Sequence, residues 1–215
     1  MLGEPVRDRR AERHEATKVE ILEAAWDLCR TEGLAGLSLR DLARRVGMQA
    51  PSLYSYFDSK HDIYDAMFAQ GSRDFVAGQR HVALSGDTLT DLKVRLRYFV
   101  DFCTSDEVRY QLMFQRTIPG FEPSPASFAV SLENLQEMAT WFAEVGLGGQ
   151  ESLDLFTAIA TGLVDQQISN DPGGDRWLRL VDDAMEMFCD HVQRRAATSK
   201  SRTKSKPKAT NRKVT

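Results

Sequence analysis

Apolar residues recur along this chain at the three- and four-residue spacing of helices, and no stretch alternates apolar with polar convincingly, as a half-buried strand would. The pattern predicts an all-α protein. Leu39, Leu42, Ala43 and Val46 define a short helix from about Ser38 to Val46, opened by Ser38 with Asp41 three residues on, the arrangement of a capping box. Gly47 follows where the chain must turn sharply, a place for the positive φ that glycine adopts without a Cβ clash. A second helix of barely two turns is expected from about Ala50 to Tyr56. Pro51 is tolerated in its first turn because amides there have no intrahelical acceptor to lose. Ser59 with Asp62 repeats the capping pattern at the start of a third helix.

On the second helix, Ala50, Leu53 and Phe57 share one side, Pro51, Ser52 and Ser55 the opposite side, and Tyr54 and Tyr56 flank them. The outward side is small and polar and carries no carboxylate, so it approaches phosphates and base edges without repelling them. Two short helices around a tight turn read as a helix-turn-helix that offers one helix to DNA. Lys60 falls in a first helical turn, where its charge opposes the helix macrodipole unless a phosphate lies nearby.

Thr17, Ile21, Leu22, Ala24, Ala25, Gly33, Ser38, Asp41, Leu42, Ala43, Gly47, Leu53, Tyr54, Tyr56, Phe57, Ser59 and Lys60 keep their mutual spacing over roughly Thr17 to Met67. As a set they resemble the DNA-binding domain of the tetracycline-repressor (TetR) family of bacterial transcription regulators. The resemblance implies a three-helix N-terminal reading head followed by a helical body that binds ligand and dimerises. It implies phosphate-backbone contacts by Thr17, Ser38, Tyr54, Tyr56 and Lys60, and base reading around Gln49, Ala50, Ser52 and Ser55, with Pro51 on the same presented edge. Two positions depart from the family pattern: Gln49 stands where a Ser or Thr cap is usual, and Tyr56 where a His is common. No arginine lies between Gln49 and Lys60, so base readout is expected to lean on Gln49 and on apolar contact with thymine methyls. Arg40, Arg44 and Arg45 are candidate helpers in readout, each of which also reads as part of a solvated helix face, and Arg40 joins the expected contact set.

Charge divides the 215 residues further. Met1 to His61 hold ten basic and ten acidic side chains; Asp62 to Gln193 hold nine and 21, a net of −12; from Arg194 onward there are nine basic and no acidic residues. A neutral head, an acidic body and a basic tail are expected, with boundaries at 1–61, 62–193 and 194–215, the body repelling DNA and the head not. The tail lacks hydrophobic periodicity and is expected to be disordered. It serves either as a sequence-independent attraction to DNA through counterion release or as a solubilising extension.

Cys29, Cys103 and Cys189 are odd in number, far apart and set among apolar neighbours, which suits reduced structural thiols. No apolar stretch reaches the length of a membrane span and no signal-peptide core opens the chain, so a cytoplasmic protein without a membrane partner is expected. His14, His61, His81 and His191 lack metal-ligand spacing. Gly146 to Gly149 is not followed by the Lys-Ser/Thr of a phosphate loop, and no nucleophile elbow appears. Neither catalytic residues, a metal nor a cofactor is expected, and an enzyme is set aside.

In the body, Leu92, Leu96, Phe99 and Cys103 line one helix face, and Phe128, Leu132, Leu135, Ala139 and Phe142 another. A helix over Ser152 to Ile168 sets large residues against a small-residue side of Ala158, Thr161, Gly162 and Asp165. The last helix shows two apolar faces, Trp177, Val181, Ala184 and Phe188 beside Leu178, Met185, Cys189 and Val192. One face has its own core to bury and the other calls for a partner. The expectation is a two-fold homodimer closed by a four-helix bundle through Ala158, Thr161, Gly162, Asp165, Trp177, Val181, Ala184 and Phe188, which the resemblance also implies for the last two helices. Such a dimer reads palindromic double-stranded DNA with half-sites about one helical turn, or a multiple, apart.

The resemblance further implies an effector pocket among the middle helices. Phe99, Phe102, Tyr110, Met113, Phe114, Phe128, Trp141 and Phe156 are candidates to line an apolar one, although each also reads as plain core. The expected function is a transcriptional repressor released from its operator by a hydrophobic small molecule. The helix from Lys60, through Tyr64, Met67, Phe68 and Phe75, would join head to body. The alternative is a regulator of the same fold with no small-molecule effector, controlled by a protein partner or by abundance.

Overall fold

A computed structural model describes residues 8–204, and among these the chain is helical: α1 (Arg9–Glu32), α2 (Leu39–Arg45), α3 (Ala50–Leu53), α4 (Lys60–Arg80), α5 (Thr88–Ser105), α6 (Glu107–Phe114), α7 (Pro125–Glu144), α8 (Gln150–Asn170) and α9 (Val181–Lys204). Two ends differ from expectation. α3 stops at Leu53 instead of Tyr56, because Ser55 N–H turns back to the Ser52 carbonyl (3.2 Å) and Tyr56 N–H to that of Leu53 (2.9 Å), three-residue bonds that tighten the chain out of the α-helix. α9 runs on to Lys204, into the stretch expected to be disordered from Arg194, since an established helix adds good helix formers at little cost. The remainder of the basic tail, 205–215, lies outside the described residues.

Packing divides the chain into two compact units. Residues up to His81 with Asp101–Leu135 form one, and Val82–Val100 with the residues from Gln136 onward the other, so α4 packs whole within the first unit.

The first unit is built on Ile21, Ala25, Trp26 and Cys29 of α1, Leu42 and Ala43 of α2, Leu53, Phe57, and Ile63, Tyr64 and Met67 of α4, all buried together. Polar side chains pair within it. Trp26 Nε1–H donates to Gln70 Oε1 (2.9 Å), whose amide in turn donates to Glu23 (2.8 Å). The Tyr64 hydroxyl donates to the Leu34 carbonyl, and burial holds its pKa well above the ordinary phenol value. Asp65 of α4 secures the start of α7 by accepting from Ser124 N–H (2.6 Å), Ser124 Oγ (2.9 Å) and Ser127 Oγ (2.7 Å). α4 and α6 pack tightly at Gly71, where a Cβ would come within 2.7 Å of Met113 Sδ. Burial pushes the Cys29 thiol up to about 11 and raises Cys103 and Cys189 as well, the state of packed, unreactive thiols.

In the second unit Phe142, Phe156 and Phe188 meet as a ring trio with centroids 5.5–6.0 Å apart, and Leu92, Leu96, Val164, Val181 and Met185 are buried in the same unit. α7 ends in a Schellman motif: Gly146 at φ 78° allows Leu147 N–H to reach the Phe142 carbonyl (2.8 Å) and Gly146 N–H that of Ala143 (3.3 Å). Lys93 pairs with Glu186 (2.6 Å) and Arg97 with Asp182 (2.5 Å), tying α5 to α9. The apolar stripe of α7 turns outward at its first half, where Phe128, Leu132 and Leu135 are each 43% exposed. Helical period groups residues on a face but does not say what that face meets. Among the described residues no helix is long and apolar enough to cross a membrane.

Asp91, almost wholly buried, reaches back to take Ser85 N–H (2.7 Å), Ser85 Oγ (2.8 Å) and Gly86 N–H (3.1 Å), fixing the lead into α5. Burial works to raise its pKa, but these hydrogen bonds outweigh it and hold the carboxyl below the usual range. Asp91→Asn therefore lowers stability at neutral pH by about 2 kcal/mol, the worth of charge-assisted hydrogen bonds, as read by urea unfolding. Because the folded pKa is depressed, this contribution is complete above the ordinary carboxylate value of about 4 and disappears as pH falls through the folded one. The gap between wild type and variant closes on acidification.

Candidate nucleic-acid interface

The recognition element is assembled from capping chemistry outward. Ser38 Oγ accepts Asp41 N–H (3.4 Å) at the start of α2. At its other end Gly47 adopts φ 70°, so that Met48 N–H bonds the Ala43 carbonyl (2.8 Å) and Gly47 N–H that of Arg44 (3.2 Å), a second Schellman ending. The chain leaves this turn extended at Gln49 and enters α3 with Pro51 in the first turn. Gln49 makes no side-chain cap and stays exposed, with its amide open to solvent.

Leu53 and Phe57 are buried beneath α3, while Gln49, Pro51, Ser52, Tyr54 and Ser55 are exposed and Ala50 and Tyr56 half-buried. Tyr54 is 54% exposed, an aromatic side chain standing in solvent. Ser55 Oγ donates to the Ser52 carbonyl (2.7 Å). Ser59 Oγ accepts Asp62 N–H (3.2 Å) to open α4, and Lys60 Nζ donates to the Ala35 carbonyl (3.1 Å) with the Tyr64 ring 5.5 Å away. Thr17 donates to the Arg13 carbonyl (3.0 Å) and is half-buried. Arg40 is exposed on α2; Arg44 is paired to Asp41 (2.6 Å) and Arg45 faces Asp27 (3.5 Å).

Sequence reasoning passed over two arrangements at this head. His14 of α1 stacks its ring on Tyr56 with centroids 4.6 Å apart; it shares a helix face with Thr17 and Ile21, a period that was available as a signal. Arg30 donates from both Nε (3.1 Å) and a terminal nitrogen (2.7 Å) to Asp106, the residue that caps α6 by accepting Arg109 N–H (3.1 Å). No local pattern announces a pair 76 residues apart.

The pocket candidates scatter. Met113, Phe114 and Phe128 line an open cavity of about 240 Å³ with Phe68, Leu112 and Phe121, beside the loop from Gln115 to Pro123. Phe102 lies next to it through Phe75 (5.1 Å), which also meets Phe114 (5.9 Å). Tyr110 is core, with 2% of its surface exposed, and Phe156 is core in the other unit. Trp141 in that unit is covered by the Arg95 guanidinium at 4.6 Å, and Phe99 there is half-buried. Of the dimer-face candidates, Ala158 is exposed, and Thr161, Gly162, Asp165, Trp177 and Ala184 are half-buried. Val181 and Phe188 are each 1% exposed, so their own chain already satisfies them and they do not belong to an open face.

Residues 21–67 match the family model of bacterial regulatory proteins of the tetR family. The chain is 31% identical over 100 residues to the HTH-type transcriptional activator FasR of Mycolicibacterium smegmatis, covering 45% of this chain and 44% of that one. It is 43% identical over 47 residues to the class A tetracycline repressor protein from transposon 1721 of Escherichia coli, 22% of either chain. Both matches span less than half of the relative's length. The fold extends further. The transcriptional regulator FadR from Bacillus subtilis, solved with stearoyl-CoA, superposes with a TM-score of 0.64 over 79% of this chain and 96% of its own at 15% identity. Residues 21–67 thus carry the helix-turn-helix of the tetR family, and solved TetR-family regulators from Thermus thermophilus and Acinetobacter baumannii share the fold, with TM-scores of 0.57 and 0.55 at 21% and 18% identity.

Replacing Tyr54 with Ala removes a ring that is 54% exposed and little packing, so unfolding should move by what a surface substitution allows, about 0.5 kcal/mol. Binding to a selected duplex, followed by mobility shift, should weaken at least several-fold; unchanged affinity would take Tyr54 out of the contact set.

Proposed function

We propose that this chain acts in the cytoplasm as a homodimeric, sequence-specific repressor that leaves a palindromic operator when an apolar small molecule enters its body. The single observation that carries the DNA half is the exposed, carboxylate-free edge formed by Gln49, Pro51, Ser52 and Ser55 over a buried Leu53 and Phe57. Residues 1–61 supply the reading head and 62–193 the effector and dimer functions, with phosphate contacts from Thr17, Ser38, Arg40, Tyr54, Tyr56 and Lys60. Lys60 has only to exchange the Ala35 carbonyl for a phosphate oxygen, a stronger acceptor for an ammonium.

The effector half is supported by the cavity among Phe68, Met113, Phe114 and Phe128, which opens between α4, α6 and the start of α7. FadR's stearoyl-CoA shows what one protein of this fold accepts; here the lining favours an apolar group of modest size. An occupant there bears on α6, whose capping residue Asp106 is held by Arg30 of α1, and on the loop that Ser124 fastens to Asp65 of α4. Both attachments lead to helices that carry the reading head, so ligand and DNA would each weaken the other's binding by the same factor.

Dimerisation is supported by α8. Ala158, Thr161, Gly162 and Asp165 form its small-residue side, and a Cβ built on Gly162 meets no atom of this chain. A helix face that shallow admits a second helix at close range. On α9, Met187 is 72% exposed, a large apolar side chain in want of cover.

Selection of bound genomic fragments tests the central claim. Recovered sites should be palindromic with half-sites about 10 base pairs, or a multiple, apart; no enrichment, or sites without dyad symmetry, would remove it. Gly162→Glu places a charge where the folded monomer has open space. That variant should keep its helical signal, yet sediment as a monomer, lose the dependence of its unfolding temperature on protein concentration, and lose operator affinity by a hundredfold or more at nanomolar protein. A dimer of wild-type affinity would show that α8 closes no interface.

A further inference from the structure

We propose that His14 is a positioning residue of the DNA interface: by stacking on Tyr56 and bonding the Ser55 carbonyl, α1 fixes the C-terminal end of the recognition helix for its contacts. This inference rests on the DNA-binding reading above. α3 has a single turn, and after Leu53 the backbone is held by two three-residue bonds and by Phe57 N–H to the Leu53 carbonyl (3.0 Å), none of which engages the Ser55 carbonyl. The last carbonyls of any helix lack intrahelical donors, and that of Ser55 would face the same lack. His14 Nε2 lies 3.3 Å from the Ser55 carbonyl oxygen, 41 residues away in sequence, and because a carbonyl only accepts, the ring must carry its proton on Nε2. The same ring lies at 23° to that of Tyr56, with centroids 4.6 Å apart. Glu15 Oε1 stands 3.8 Å from Nδ1, and Arg10, one turn earlier, shares the His14 face of α1.

The consequence is preorganisation. Without the imidazole, Tyr56 regains rotamers and the Ser55–Tyr56 backbone loses its outside anchor, so both must be ordered on binding. Immobilising one such side chain corresponds to about five- to tenfold in affinity. His14 thus acts through Tyr56 instead of through DNA. A group that touched phosphate itself would release counterions, whereas one that only positions another leaves the salt dependence alone.

The experiment uses the full chain and a duplex that the wild type enriches from a random pool, with affinity read by fluorescence anisotropy over a range of salt. His14→Ala should bind about five- to tenfold more weakly, with the slope of log affinity against log salt unchanged. His14→Phe, which keeps the stack, should recover most of the loss. In a Tyr56→Ala background, His14→Ala should add almost nothing, since the partner it positions is gone. Wild-type affinity for His14→Ala, a slope reduced by about one, losses that multiply in the double variant, or a His14→Phe as weak as the alanine would each overturn the proposal. If the wild type enriches no duplex at all, the DNA-binding reading falls and takes this inference with it.

Discussion

A helix of one turn has no stability of its own. Nucleating an α-helix carries a statistical weight of about 10⁻³, which is about 4 kcal/mol against it, and α3 is too short for propagation to recover that. What holds it is the burial of Leu53 and Phe57 against α1, α2 and α4, each side chain contributing about 1.5–3 kcal/mol. The surface offered to DNA is therefore an outcome of the packing beneath it. The glycine turn before α3 and the serine cap after it decide where that packing begins and ends.

The same dependence explains why so many charged groups of the first unit point inward along its seams. Arg30 joins α1 to the cap of α6, Asp65 joins α4 to the start of α7, and Arg109 lies over Trp26 at 5.3 Å and Phe102 at 5.5 Å. Each is a directional contact laid over non-directional apolar packing. Apolar surfaces tolerate sliding, but a carboxylate that accepts three hydrogen bonds does not, so these seams define discrete arrangements of the helices.

Much of this was written in local chemistry. Ser38, Asp41, Gly47, Pro51, Ser59 and Asp62 mark the helix ends because capping and positive φ depend on neighbours in sequence, and the structure places those ends there. α3 proved shorter than its periodicity because apolar spacing cannot distinguish a last helical turn from a three-residue turn that buries the same Phe57. The outward stripe of α7, the interior places of Val181 and Phe188, and the seams at Arg30 and His14 were hidden for another reason. They depend on which distant element lies opposite, and a period of 3.6 carries no such information. Pocket candidates suffered most: any large apolar side chain fits a cavity wall and a core equally well, and Tyr110 and Phe156 turned out to be core.

The 21 residues of α4 make a rod of about 31 Å from Arg80 at its C-terminal end to Lys60 at the other. Leverage follows from that length: a pivot of only 4° about the far end carries the first turn sideways by about 2 Å, more than a hydrogen bond can stretch and survive. In the proposed dimer the dyad would swing the two rods in mirrored directions, doubling the error in their separation. A bound molecule need not reshape the reading head to silence it; spoiling the gauge between two intact heads is enough.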